Sequence, residues 1–401
     1  MKKIALLVIS ALLISGAFFS LQSQPNTSLK PVMAEKAKMQ VVFALDATGS
    51  MRGLMDAAKD KIWSIANSLT QADPAPDIEV GIIFYRDRGD AFVTKLVPLT
   101  DSLDYVYKEL MKMTAQGGGD GPESVNQGLF EAVTKFNWDT ATSVYKTVFL
   151  IGDFPPHMDY KNDIPYQQTC QIARGKDIVL NTILMGDNND ARKIWEEIAA
   201  CNQGGYVQVN MNANDIKVAT PYDSVIAVLS DSLDALKYYY GNTTVRLRGN
   251  ASMKVIQDVV VTSSVNVKAQ RAEYNTKYKD KNKAYAKAKS TSATSASNEL
   301  LDDMEAGYVK LDTIAVAALP DNMQRMSVTE RAAFVQSRMA YRDSLQKQMN
   351  IQIQNRNNFI EQELAKRSAS EVKSSLNGLI FENIRGQAEK KKIILKGKAK
   401  Y

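Results

Sequence analysis

The sequence predicts an α/β fold in which a doubly wound, mostly parallel six-stranded sheet is followed by a mainly α-helical C-terminal region. Apolar runs of strand length alternate with helical stretches between residues 38 and 241, as strands and crossover helices do in a parallel sheet. Two of these runs end in an aspartate. Beyond residue 298 the patterns are helical to the end of the 401-residue chain. Together, these observations set the fold class.

Six runs of residues predict the strands of this sheet. Five are mostly apolar, which is typical of parallel strands covered on both faces, and one is more polar. The runs are 41–46, 78–85, 92–98, 147–153, 178–185 and 206–209. A short turn joins the second and third runs, which predicts a hairpin. We expect residues 85–88 to form local ion pairs at this turn, and a rim role in partner recognition is the alternative.

The N-terminus has the layout of a secretory signal peptide. Lys2 and Lys3 precede an apolar stretch at 4–21, followed by polar residues. We therefore expect residues 1–23 to be a signal peptide and 24–37 a linker, which makes the protein exported, to the periplasm or the extracellular space. The apolar stretch lacks a clean cleavage site, so an uncleaved membrane anchor is the alternative.

Export also permits a disulfide between the two cysteines, Cys170 and Cys201. We place Cys170 early in one crossover helix and Cys201 late in the next. Parallel helices with this arrangement hold the two thiols toward opposite ends, whereas a disulfide needs Cα atoms within about 7 Å. The expectation from sequence is slightly against a bridge, and the alternative stays open.

The C-terminal half divides into two predicted regions. Residues 242–298 form a basic, partly flexible connection, and we interpret the positive charge at 266–290 as a solvated helix face. Residues 299–401 are helical, with a capping box at Ser327 and Glu330 that opens a long helix. Apolar residues recur along this helix at three-to-four spacing. A hairpin with 299–318 or 376–390 explains this stripe, and a coiled-coil homodimer is the alternative.

The most informative segment is the end of the first strand, where Asp46, Thr48 and Ser50 follow the apolar run. Ligands bind at the carboxyl ends of strands in open α/β sheets. One carboxylate and two hydroxyls at alternate positions suit a hard divalent cation. The alternative is a helix cap formed by Asp46 or Thr48.

Two further acidic segments favour the cation. The first is a glycine-rich loop with the sequence Gly-Gly-Gly-Asp-Gly-Pro-Glu at residues 117–123, which contains Asp120. In the second, at residues 149–157, a buried strand ends in Asp153 and is followed by a loop that contains Pro-Pro-His. Carboxylates that meet at one edge repel one another and acquire raised pKa values, and a bound cation removes that conflict. His157 itself is expected to have a hydrogen-bonding structural role, with base or metal ligand as alternatives.

At these three segments the sequence resembles the von Willebrand factor type A (vWA) domain with its metal ion-dependent adhesion site. The resemblance covers about residues 38–241 and is closest to the bacterial secreted and alpha-kinase-associated subgroup, with which residues 85–90 also agree. It implies a Rossmann-like sheet of order 3-2-1-4-5-6 that binds Mg2+, Ca2+ or Mn2+ at its top. The predicted metal ligands are Asp46, Thr48, Ser50, Asp120 and Asp153.

The second motif departs from the family pattern. Many members have Thr where this chain offers Asp120, and Glu123 or Ser124 serves instead if the loop is shifted. A third carboxylate favours tighter cation binding and weakens the attraction for an acidic ligand.

The resemblance implies a binding module that uses its cation to engage a carboxylate of a protein or peptide partner, not an enzyme. The first alternative is a metal-dependent, phosphatase-like hydrolase with Asp46 as nucleophile, although such enzymes usually carry a second Asp where this chain has Thr48. The second is a scaffold that oligomerises through the C-terminal helices. A net charge of only +6 gives no sign of a nucleic-acid partner.

Overall fold

The computed structural model describes residues 37–53, 55–73, 76–209, 216–262, 264–289 and 298–401. The predicted signal peptide and all but the last residue of the predicted linker lie outside these residues, so export stays a prediction. Within the described part of the chain, no helix is both long and apolar enough to cross a membrane.

Within the described residues, eight strands form two sheets. The first is six-stranded, in the order β4-β3-β1-β5-β6-β7, and β2 pairs with β8 in a separate antiparallel sheet. The strands are β1 (Lys38–Asp46), β2 (Ala72–Asp73), β3 (Asp77–Tyr85), β4 (Thr94–Thr100), β5 (Tyr145–Gly152), β6 (Val179–Met185), β7 (Tyr206–Val209) and β8 (Ile394–Leu395). All pairs in the large sheet are parallel except the β3–β4 hairpin. The predicted six-stranded, mostly parallel sheet is confirmed.

Helices cover both faces of the large sheet and fill the C-terminal half. They are α1 (Met55–Leu69), α2 (Leu103–Lys112), α3 (Val125–Thr134), α4 (Tyr166–Gly175), α5 (Asn189–Ala200), α6 (Asp223–Asp234), α7 (Thr243–Thr262), α8 (Val265–Lys289), α9 (Leu300–Glu305), α10 (Val328–Ala365), α11 (Ala369–Ser374) and α12 (Leu376–Glu389). Short 3-10 turns occupy Gly49–Gly53, Leu311–Thr313 and Val316–Ala318.

The central strand β1 shows why its sequence is apolar throughout. Successive side chains of a strand point to opposite faces. Phe43 and Leu45 accordingly pack in the core beneath α1 and α2, whereas Val42 and Ala44 pack in the core beneath α3, α4 and α5. Both faces are buried, so no polar alternation remains. The order of the sheet also places the end of β1 beside the end of β5, which is the edge where the acidic segments meet.

The C-terminal end of the chain returns to the sheet. Helix α12 adds Ile380, Phe381 and Ile384 to the same core as α1. The Tyr145 hydroxyl on β5 donates a hydrogen bond of 2.7 Å to the Gln387 side chain on α12. The last helix is therefore part of the packing that supports the sheet.

The long helix α10 begins at the predicted capping box, which is present. Val335, near its start, packs against residues 300–326, which overlap 299–318, one of the two alternative hairpin partners. The middle of the helix, at Leu345, Met349 and Ile353, packs instead on α6 and α8. The apolar stripe is thus covered within the chain, and the coiled-coil homodimer stays an untested prediction.

The expectation against a disulfide is wrong. Cys170 and Cys201 are bridged, with their Cα atoms 6.0 Å apart. Cys170 is the fifth residue of the ten-residue α4, and Cys201 is the C-cap of α5. Because α4 is short, its midpoint is only about 7 Å from its end, and the axial offset between the thiols is smaller than the sequence suggested.

Replacing both cysteines with serine is expected to destabilise the protein by about 3 kcal/mol, because the bridge closes a loop of 31 residues and so restricts the unfolded chain. Urea unfolding in oxidising buffer measures this loss. Wild-type protein treated with a reductant is the control and should lose a similar amount. An unchanged midpoint in the double variant would contradict the bridge.

Candidate metal centre

The candidate centre begins at Asp46, the last residue of β1, which is fully buried. Its Oδ1 accepts hydrogen bonds from the backbone N–H of Thr48 at 2.8 Å and from the Thr48 hydroxyl at 2.6 Å. This half of the carboxylate agrees with the helix-cap interpretation. The other oxygen, Oδ2, is buried and has no hydrogen-bond partner. A cap does not explain a buried, unsatisfied carboxylate oxygen, which is costly.

A line of polar atoms leads from Thr48 to the surface. The Thr48 and Ser50 hydroxyls are 3.2 Å apart, and the Ser50 hydroxyl donates a 3.1 Å hydrogen bond to Oδ1 of Asp153. Ser50 is exposed, whereas Thr48 is fully buried and Asp153 nearly so. The group is therefore reached from solvent at Ser50.

Gly152 allows the ends of β1 and β5 to approach closely enough for this arrangement. A Cβ at this position would lie 2.3 Å from the Tyr85 hydroxyl and 3.0 Å from Asp46 Oδ2. Only glycine fits there without displacing the Asp46 carboxylate. The last position of β5, directly before Asp153, therefore requires glycine.

The glycine-rich loop brings a third carboxylate to the centre. Gly117 and Gly118 both have positive φ, which side chains disfavour, and the Gly117 carbonyl accepts a 3.0 Å hydrogen bond from the backbone N–H of Gly49. The loop then turns Glu123 inward, where it is 2% exposed and within hydrogen-bonding reach of the Thr48 side chain. Its Oε2 is also buried and has no hydrogen-bond partner.

The electrostatics of the three carboxylates agree with the conflict predicted from sequence. Burial and the nearby Asp153 raise the pKa of Asp46 to about 8. Burial and the nearby Asp46 raise the pKa of Glu123 to about 9, and burial raises the pKa of Asp153. Full ionisation of this group is thus unfavourable without a positive charge among the oxygens.

The residues present fit a hard divalent cation. Two buried carboxylate oxygens without partners, Asp46 Oδ2 and Glu123 Oε2, adjoin a hydroxyl pair and a third carboxylate. An all-oxygen donor set of this kind suits Mg2+, Ca2+ or Mn2+. The residues that would hold the ion are Asp46, Thr48, Ser50, Glu123 and Asp153.

The structure brings together four of the five predicted ligands, and the fifth lies elsewhere. The Asp120 side chain is 61% exposed, and its Oδ2 is 3.7 Å from Nε2 of His157. Of the two alternatives, Ser124 donates its hydroxyl to Asp87 at 3.0 Å, which leaves Glu123 as the residue of this loop that faces Asp46. The ligand set as a whole stays a prediction.

A second group of ionisable side chains lies beside the first and was missed from the sequence. Asp87, Asp120 and His157 each offer an atom within 4.8 Å of the others. The sequence predicted local ion pairs for residues 85–88, but Arg88 pairs with the distant Asp163. No spacing rule connects three residues that come from a hairpin turn, a glycine-rich loop and a strand exit, so the sequence alone did not reveal this group.

Comparison with known proteins agrees with this geometry. Residues 40–214 match the family model described as the von Willebrand factor A domain. Over these residues the chain is similar to the von Willebrand factor A domain. No curated protein matches the chain. The matched residues include the six strands of the large sheet up to β7 and the acidic edge described above.

The solved structures that are similar to part of the chain include the following three. Proximal thread matrix protein 1 from the mussel byssus, with a zinc-occupied MIDAS motif, is 14% identical over 44% of this chain and 42% of its own, with a TM-score of 0.34. A von Willebrand factor type A protein from Catenulispora acidiphila is 19% identical over 44% and 39%, with a TM-score of 0.33. The pilus adhesin SpaC from Lactobacillus rhamnosus GG is 14% identical over 44% and 29%, with a TM-score of 0.34. The matched part spans less than half of each of these proteins.

Proposed function

We propose that this protein binds an acidic group of a protein or peptide partner through a divalent cation, preferably Mg2+, held by its vWA domain. The ligands of the ion are Asp46, Thr48, Ser50 and Asp153, with Glu123 beside them in the place predicted for Asp120. An open coordination position at the solvent side accepts a carboxylate of the partner, and the ion binds it without transforming it.

One observation carries this proposal. Asp46 Oδ2 and Glu123 Oε2 are buried without hydrogen-bond partners, in a group that opens to solvent at Ser50. A cation satisfies both oxygens, and the exposed side of the group supplies access for a ligand. Three carboxylates exceed the charge of one divalent ion by one, so we expect tight cation binding and a modest affinity for a single acidic group.

The burial of Asp46 favours binding over hydrolysis. A nucleophilic carboxylate must reach the substrate, whereas Asp46 is 0% exposed and one of its oxygens already accepts two hydrogen bonds from Thr48. A phosphate at the mouth of the site meets Ser50 first. We therefore propose a binding module and not a metal-dependent hydrolase that uses Asp46.

Two further parts of the proposal concern context. The Cys170–Cys201 disulfide supports a location outside the cytosol, as the N-terminal pattern suggests. The Tyr-Arg-Asp-Arg-Gly-Asp segment at 85–90 supports membership of the bacterial secreted or alpha-kinase-associated subgroup. We do not extend the proposal to oligomerisation, because α10 buries its apolar stripe against the 300–326 segment, α6 and α8.

The proposal predicts cation-dependent capture of acidic peptides. Immobilised peptides with a single Asp or Glu should retain the full-length protein in Mg2+ and release it in EDTA, while matched peptides with Asn or Gln should not retain it. The variant Asp46→Asn should lose retention because it removes a charged ligand of the ion. Retention that is indifferent to both EDTA and Asp46→Asn would overturn the proposal.

A further inference from the structure

We propose that Asp87, Asp120 and His157 form a second metal site, separate from the all-oxygen centre, that takes a first-row transition dication such as Zn2+. This inference goes beyond the proposed function and does not depend on it. It rests on the orientation of one buried imidazole toward two carboxylates.

His157 is the only histidine of the chain, and it is 6% exposed. Its Nδ1 is 2.8 Å from Oδ1 of Asp159. An ionised carboxylate only accepts hydrogen bonds, so Nδ1 carries the proton. In the neutral ring the lone pair is then on Nε2, at the opposite side of the imidazole.

Nε2 of His157 is buried and has no hydrogen-bond partner. It is directed between two carboxylate oxygens, Asp87 Oδ2 at 3.4 Å and Asp120 Oδ2 at 3.7 Å. These three electron-rich atoms converge although Nε2 makes no hydrogen bond to either carboxylate, so a positive charge at their centre would stabilise the group. A metal ion there satisfies the orphaned nitrogen and both oxygens at once.

The surroundings of Asp87 and His157 hold both side chains in place. Asp87 is 5% exposed and accepts hydrogen bonds from the Ser124 hydroxyl at 3.0 Å and the Tyr160 hydroxyl at 3.1 Å. The Tyr160 ring stacks on the imidazole, with centroids 4.0 Å apart. The Asp159–His157 contact has the form of the carboxylate–histidine pair that orients metal-binding imidazoles. Asp120 is exposed and leaves one side of the site open to solvent.

The donor set distinguishes this site from the first. One imidazole nitrogen with two carboxylates favours transition ions such as Zn2+, whereas the Asp46 group offers only oxygens. The two sites are neighbours, because the Glu123 carbonyl accepts a 3.0 Å hydrogen bond from the backbone N–H of His157. The domain edge is thus suited to two different ions.

The single histidine makes a direct test available. Full-length protein without a histidine tag and with 15N-labelled histidine gives one imidazole spectrum, which is recorded in excess Mg2+ while Zn2+ is added. We expect the Nε2 resonance to shift and saturate at one equivalent of Zn2+. An Nε2 resonance that changes with pH but not with excess Zn2+ would overturn the proposal. It would mean that Nε2 interacts with the two carboxylates through a bound proton and not through a metal ion.

Variants separate the two sites and guard against misfolding. Asp120→Asn changes an exposed side chain and should weaken Zn2+ binding, and Asp159→Asn should weaken it by about 10- to 100-fold, as loss of an orienting carboxylate does. Asp46→Asn should leave the imidazole response intact even if acidic peptides are no longer captured. Equal Zn2+ affinity in wild type, Asp120→Asn and Asp159→Asn would refute the site, whatever the outcome at Asp46.

Discussion

The variant Asp46→Asn is expected to be more stable than the wild type at pH 8 in EDTA, and to lose the stabilisation that Mg2+ gives the wild type. Asp46 and Glu123 have pKa values raised to about 8 and about 9 in the fold, so their ionisation opposes folding. Asparagine at position 46 removes one of these charges and lowers the repulsion on the other. It also removes a charged ligand, so cation binding weakens.

The direction of the pH dependence follows from the raised pKa values. A carboxyl group whose pKa is raised by folding stabilises the folded state. This contribution is complete when the pH is below the pKa of the group in the unfolded chain, and it is lost as the pH rises through the pKa in the folded protein. The ordinary values are 3.8 for Asp46 and 4.5 for Glu123. Between about pH 5 and 9, each proton held only by the folded state lowers the free energy of unfolding by about 1.4 kcal/mol per pH unit.

Urea unfolding from pH 5 to 9, in EDTA and in Mg2+, measures both effects. In EDTA the wild type should lose stability as the pH rises, and Asp46→Asn should lose less. Mg2+ at 100 times its Kd should restore about 3 kcal/mol to the wild type and little to the variant. Asp120→Asn is the matched control, because this exposed carboxylate lies outside the Asp46 group and should leave the Mg2+ response unchanged. A flat wild-type profile in EDTA, or equal gains from Mg2+ in wild type and Asp46→Asn, would contradict the assignment.

The fold was predictable where the pattern is local. The apolar runs at 41–46 and 147–153 identify buried parallel strands, and the short turn between the second and third runs identifies the hairpin. The Cys170–Cys201 bridge was not predictable in this way, because it depends on the axial offset between α4 and α5 and not on either helix alone. The packing of α12 on the large sheet was missed for the same reason, since an amphipathic helix does not encode which surface covers it.

The candidate metal centre likewise combines residues that a local pattern predicts with one that depends on the tertiary structure. Asp46, Thr48 and Ser50 are adjacent in sequence and follow a strand, so their convergence could be read directly. The choice between Asp120 and Glu123 depends on positive φ at Gly117 and Gly118, which determines the side chain that turns inward. Glycine indicates that such a turn is allowed but not where it leads.

The second large effect is expected at Arg356, far from the metal centre in sequence. Arg356→Met should destabilise the protein by about 3–5 kcal/mol, because removal of one partner leaves buried charges uncompensated. The guanidinium is 1% exposed. It donates hydrogen bonds to Asp223 on α6 at 2.7 Å and to Glu273 on α8 at 3.4 Å. One side chain of α10 thus compensates the negative charge of a carboxylate on each of two other helices.

The ionisation of Glu273 shows how much this buried group of charges depends on its positive members. Burial alone would raise its pKa, but Lys400, Lys277 and Arg356 together lower it to about 2, so Glu273 is ionised throughout the physiological range. Without Arg356, the two lysines remain for Glu273, while Asp223 loses its 2.7 Å guanidinium contact. We therefore expect most of the cost to arise at Asp223.

A double-mutant comparison tests this division. Adding Asp223→Asn to Arg356→Met should recover part of the lost stability in urea unfolding, and adding Glu273→Gln should recover less. Lys347→Met, on the exposed face of the same helix, should change the free energy of unfolding by no more than about 0.5 kcal/mol. If Arg356→Met and Lys347→Met cost the same, α6, α8 and α10 are held together by their apolar contacts, and the buried arginine contributes no more than a surface charge.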